Sequence, residues 1–121
     1  MAGLEPGQRI LFDGVIAASP QVSIEGVDDR LLAFMERLGQ IHQGIFGRPL
    51  VITSARDGVH AEGSLHHEGR AFDYRTRDKL TDENQVFLSL VLWLSDRYQA
   101  TVFDERNLPD GQHVHVEYHG E

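Results

Sequence analysis

The sequence predicts an α+β domain in which two helices pack on one face of a small, mainly antiparallel sheet. Three observations carry that reading. Two segments repeat apolar residues at helical spacing, several short runs read as strands, and the elements follow the order helix, strand, loop, strand, helix, strand, strand.

Residues 1–20 contain Gly3, Pro6, Gly7, Gly14 and Pro20 and read as an irregular arm with one short apolar stretch at residues 9–12. Residues 21–24 form a candidate short strand. The first helix is capped by Asp28 or Asp29, and Val27, Leu31, Leu32, Met35, Leu38, Ile41 and Ile45 recur at its spacing. Gly47 and Pro49 end it. Residues 50–53 read as a buried strand. Residues 54–69 show little periodicity and much Gly, Ser and His, so they read as a long functional loop. Residues 71–75 alternate as a strand. Thr81 opens the second helix, with Asp82 and Glu83 in the first turn and Val86, Phe87, Leu90, Val91 and Leu94 as its apolar face. Trp93 and Phe87 are assigned to the core. A strand follows at 100–103, then a polar turn at 104–111 and a closing strand at 113–118.

The 121 residues fit one domain, residues 1–121, large enough for a single core. Hydrophobic residues at 40% and charged residues at 25% are ordinary globular values, which argues against a disordered chain. A net charge of -8 disfavours nucleic acid as a partner and adhesion to an anionic surface. No cysteine is present, so a thiolate zinc site and a disulfide framework are both excluded. No apolar run approaches bilayer length, and no membrane insertion is expected. The N-terminus MAGLEPGQRI lacks the basic start and apolar core of a signal peptide, so the chain is expected to be made in the cytoplasm without one.

Seven histidines are many for a small acidic domain, and His60, His66, His67, His113 and His115 gather in or beside two short segments. In a strand, residues two apart share a face, so His113 and His115 project side by side with Glu117 continuing the row. Val114 and Val116 then face the core. Asp73 lies in an apolar strand beside Ala71 and Phe72, where a carboxylate requires a partner such as a metal ion or a histidine. Catalytic zinc takes three protein ligands and keeps a fourth position open. His66, Asp73 and His115 (or His113) make such a set. Gly69 and Ala71 are small enough for backbone passing close to a metal.

The string Ser64-x-His66-x-x-Gly69-x-Ala71-x-Asp73, followed much later by His113-x-His115, resembles the zinc signature of the D-Ala-D-Ala carboxypeptidase and hedgehog-type family. The resemblance covers residues 50–118 and is nearest to small, single-domain phage endolysins. It implies a hedgehog/DD-peptidase-like fold, zinc bound by His66, Asp73 and His115, and His113 beside the metal. It implies that Arg56 holds a substrate carboxylate or carbonyl oxygen, as suits a guanidinium fork. Many members carry an acid three residues before the zinc histidine, where this chain has Gln112. The general base is therefore sought at Asp110 first, then at Glu105, with Asp104 a third candidate.

The implied activity is zinc-dependent hydrolysis of a peptide bond in bacterial peptidoglycan, by a monomer acting on the cell wall, with a phage lysin as one origin. The rival expectation is a zinc-binding structural or interaction module of the same fold, with a phage particle component as one form, and Gln112 favours it. The other residues have plainer readings: His67 at a pocket rim, His60 and His119 solvated, His42 on the helix surface, and Glu117 either orienting a ligand or facing water.

Overall fold

The structure, a computed structural model, describes residues 4–56, 69–107 and 113–119. Its elements are β1 (Arg9–Phe12), β2 (Val15–Ala17), α1 (Asp29–Phe46), β3 (Leu50–Ser54), β4 (Ala71–Arg75), α2 (Thr81–Ser95), a 3₁₀ turn (Asp96–Tyr98), β5 (Ala100–Asp104) and β6 (His113–Tyr118). This is an α+β architecture: two helices and a six-stranded sheet in the order β1-β2-β3-β4-β6-β5. Every neighbouring pair is antiparallel except β2 with β3. Parallel neighbours need a crossover, and α1 supplies it.

Local chemistry sets the element ends. The Asp28 carboxylate accepts from the Arg30 N–H and caps α1. Gly47 closes α1 in the left-handed conformation, with its N–H donating to the Gln43 carbonyl. Glu83, in the first turn of α2, accepts from the Leu80 N–H.

The core is one cluster. Leu31, Phe34, Met35 and Leu38 of α1 and Phe87, Leu88, Val91 and Leu94 of α2 join Leu50, Ile52, Phe72, Tyr74, Val114 and Val116 of the sheet. The cross-strand register fixes which side is which. Phe72 pairs with Val116 and Tyr74 with Val114 toward the helices, so the intervening pair, Asp73 with His115, faces the other way.

Several sequence expectations are corrected. Residues 9–17 form the β1–β2 hairpin rather than an irregular stretch, and Val15 and Ala17 are fully buried. Residues 21–24 form no strand, although Val22 is buried. Helix α2 presents Leu88 rather than Val86 to the core, leaving Val86 and Trp93 exposed at 51% and 67%. His42 is not a surface residue. It is fully buried, its Nδ1 lies 2.8 Å from the Arg48 carbonyl oxygen, and its ring meets Phe46 and Phe87 edge-on.

Candidate metal centre

The side of the sheet away from the core carries the polar row. On β6 the burial alternates, with Val114, Val116 and Tyr118 buried and His113, His115 and Glu117 half-buried on the other side. On β4, Asp73 pairs with His115 and Arg75 with His113. On β5, Phe103 pairs with His115. Three strands, β4, β6 and β5, therefore bring these side chains together on one side of the sheet.

Asp73 is the centre of this arrangement. It is 9% exposed, and its Oδ1 lies 2.7 Å from His115 Nδ1. The other ring nitrogen, Nε2, lies 2.9 Å from Glu117 Oε1. Burial alone would lower the His115 imidazolium, but the hydrogen bonds and charges of Asp73 and Glu117 outweigh it, and the net shift is upward. A carboxylate at each ring nitrogen favours the doubly protonated ring, with Nδ1–H donating to Asp73 and Nε2–H to Glu117.

A second pair lies beside the first. His113 Nε2 is 2.8 Å from Glu105 Oε1 and 3.8 Å from Asp73 Oδ2. One ligand atom from each of Asp73, Glu105 and His113 lies within 4.8 Å of the others, so these three can hold a metal ion. The donors are imidazole nitrogens and carboxylate oxygens, a set that suits zinc and other borderline divalent cations. The same chemistry fits the alternative of Asp73 with His115 Nδ1. There the Nδ1 proton must leave, while the Nε2 contact to Glu117 would fix the ring, as carboxylates behind metal-bound histidines commonly do.

The sequence-predicted residues distribute as follows. Asp73, His113 and His115 come together as expected. His66, Asp110 and Gln112 lie outside the described residues, as do Ser64, His60 and His67. Arg56 follows β3, where its backbone N–H donates to the Ser23 carbonyl and its guanidinium lies against Gly26. Asp104 is a poor base. It sits in register with buried Val114, on the helix side of β5, and both its oxygens bind Arg106 at 2.8 and 2.7 Å. That ion pair and hydrogen bonding hold its carboxyl below the usual carboxylate range. Glu105, one residue on, reaches the site. His119 is exposed, 3.3 Å from Glu117. Gly69 also has a packing role. Its φ is +74°, a Cβ there would lie 2.3 Å from the Gly26 carbonyl oxygen, and its own carbonyl accepts from the Asp28 N–H.

Two features had no place in the sequence reading. Strand β3 bulges at Thr53, because Ile52 pairs with Tyr74 and Ser54 with the adjacent Asp73. Bulges re-aim side chains and are common beside active sites. The Phe103 ring also tilts over His115 with centroids 5.9 Å apart and gives the site an apolar wall.

No family model matches the chain.

Proposed function

We propose that the protein is a zinc-dependent peptidase acting on bacterial cell-wall peptides, with His66, Asp73 and His115 as metal ligands. The observation that carries this reading is the 2.7 Å contact between Asp73 and His115, two members of that set brought together from positions 42 residues apart. Its support in the sequence is the Ser64-to-Asp73 string, whose ligand spacing resembles that of D-Ala-D-Ala carboxypeptidases. Zinc, when bound, would polarise the scissile carbonyl and acidify the attacking water.

The remaining chemistry belongs to the chain. Glu105 takes the proton from the attacking water as that water's oxygen bonds to the carbonyl carbon. His113, hydrogen-bonded to Glu105, donates to the oxyanion that develops. When the C–N bond breaks, the Glu105–His113 pair returns the proton to the departing amine. Glu105 thus takes the role that Gln112 cannot fill, a reading supported by its hydrogen-bonding distance to His113. Phe103 shields one side of the site from water.

Digestion of purified peptidoglycan, with the released ends read by mass spectrometry, tests the proposal. Cleavage should stop with a chelator and return with zinc. Absence of any chelator-sensitive cleavage contradicts it. Gln112 favours a second reading, a zinc-binding structural or interaction module. That reading predicts stoichiometric zinc with no hydrolysis for a Glu105→Gln variant to lose.

A further inference from the structure

Helix α2 is apolar on more than its buried side. Residues 84–95 include no charged side chain, in a chain of which 25% is charged. A helix at a protein surface normally carries charge opposite its buried stripe, and one that is apolar all round is normally covered. The inward side of α2 enters the core, but its outward side is open, with Val86 and Trp93 both more than half exposed. Exposed apolar side chains gathered on one side of an element mark an interaction surface.

The outward residues repeat in mirror order. At about 100° per residue, Asp82, Val86, Ser89, Leu90 and Trp93 fall within an arc of about 100°, on the side of the helix away from the core. Arg97, in the 3₁₀ turn that follows, sets its guanidinium 5.1 Å over the Trp93 ring and so joins the same side. The steps between these six are four, three, one, three and four residues, the same from either end. Ser89 and Leu90 stand at the centre. The Ser89 hydroxyl donates to the Gln85 carbonyl at 2.9 Å, so the smallest side chain of the set has its polar group satisfied within the helix. A second helix can approach closely there.

Such a stripe fits its own copy turned end for end. Two α2 helices packed antiparallel about a two-fold axis between Ser89 and Leu90 set Trp93 of each copy against Val86 of the other. Ser89 receives Leu90 where the helices cross. At both ends the exposed Asp82 carboxylate meets the exposed Arg97 guanidinium. The apolar middle is thus matched to itself, and the acidic end to the basic end. An anionic membrane is a poorer occupant, because the chain carries a net charge of -8 and the stripe begins with a carboxylate.

We propose that the outward side of α2 is a self-association surface through which two copies of this chain form an antiparallel, two-fold dimer. The dimer replaces the monomer that the resemblance implies, and it does not rest on the peptidase reading. Helix α2 packs on the side of the sheet opposite the Asp73–His115 pair, so both metal centres stay open in the dimer.

Sedimentation of the full native chain from about 1 μM to about 1 mM should show a monomer–dimer equilibrium. Trp93→Glu should leave the chain monomeric throughout that range. Asp82→Arg and Arg97→Glu each oppose like charges twice per dimer and should each raise Kd at least about tenfold. The double variant exchanges the signs of both pairs and should return Kd to within about threefold of the native value. That rescue is specific to the two-fold contact, because only there does residue 82 of one copy meet residue 97 of the other. All these side chains are exposed, so native-like thermal melts should accompany each change, and Val86→Glu substitutes if Trp93→Glu does not fold. A native chain that stays monomeric overturns the proposal. So does a double variant no tighter than the single ones. Trp93-dependent binding to phosphatidylcholine vesicles by a chain that stays monomeric gives the stripe to a membrane instead.

Discussion

At the scale of single residues, the site is a set of carboxylate–imidazole contacts whose members have separable roles. In the mechanism we propose, Glu105 and His113 handle the proton, so Glu105→Gln and His113→Ala should each lower kcat by about 10²- to 10⁴-fold while zinc content stays at the native level. Zinc loss in either variant would instead place those residues among the ligands. His42 yields a pH prediction of a different kind. Burial pushes the pKa of its imidazole down to about 4, against the opposing hydrogen bond that Nδ1–H donates to the Arg48 carbonyl. Between the unfolded value of 6.5 and about 4, the unfolded chain binds a proton that the folded chain refuses. Stability is therefore full above that window and falls as pH drops through it. At about 1.4 kcal/mol per pH unit the loss reaches about 3 kcal/mol. His42→Phe should flatten the dependence in urea melts between pH 6.5 and 4, and an unchanged slope would contradict the assignment. The burial of His42 was legible in principle, since positions 38, 42 and 46 lie on one side of α1. The polarity of histidine outweighed that spacing. Glu105 was only half legible. Its approach to His113, eight residues on, follows from the antiparallel pairing of β5 with β6, a register that strand periodicity alone does not fix.

At the scale of elements, strand period two was the informative signal. It placed His113, His115 and Glu117 on one side of β6 and Val114 and Val116 on the other, as the structure has them. The β1–β2 hairpin was hidden because its strands are only four and three residues long and lie among turn formers. The orientation of α2 was hidden for the opposite reason. Leu88, Leu90, Leu92 and Trp93 spread apolar character around the helix, so no single stripe marks its buried side. Helix α1 is seated on the hairpin by direct backbone approach. A Cβ on Gly39 would lie 2.2 Å from Val15 Cγ2 and 2.8 Å from the Gly14 carbonyl oxygen. Alanine normally stabilises a helix interior by up to about 1 kcal/mol over glycine. Here Gly39→Ala should instead destabilise by about 1–3 kcal/mol, because the helix must lift off β2. Chemical denaturation reads the sign, and a stabilised variant would refute the close approach. The site's own elements gain rigidity in the same way, since Gly69 packs against Gly26 immediately before β4.

At the scale of the whole molecule, the helices and core occupy one side of the sheet, and the other presents the titratable cluster. The α+β class, both helices and the pairing of Asp73 with the β6 histidines were legible because amphipathic period and ligand spacing point the same way. The parallel β2–β3 pair was not, because it depends on where α1 returns the chain. A metal that binds only the folded state must also stabilise it. At a hundredfold excess over Kd, zinc should add about 2.7 kcal/mol and raise Tm by several degrees, reversed by a chelator. The central claim is that Asp73 and His115 hold a metal that Glu105 and His113 serve without ligating. Calorimetric zinc titration of the native protein and of the Asp73→Ala, His115→Ala, His113→Ala and Glu105→Gln variants tests it most directly. The account predicts one zinc per native chain, lost with Asp73 or His115 and retained with the other two. Retention by His115→Ala with loss in His113→Ala and Glu105→Gln would contradict it, moving the metal to the Asp73, Glu105 and His113 cluster.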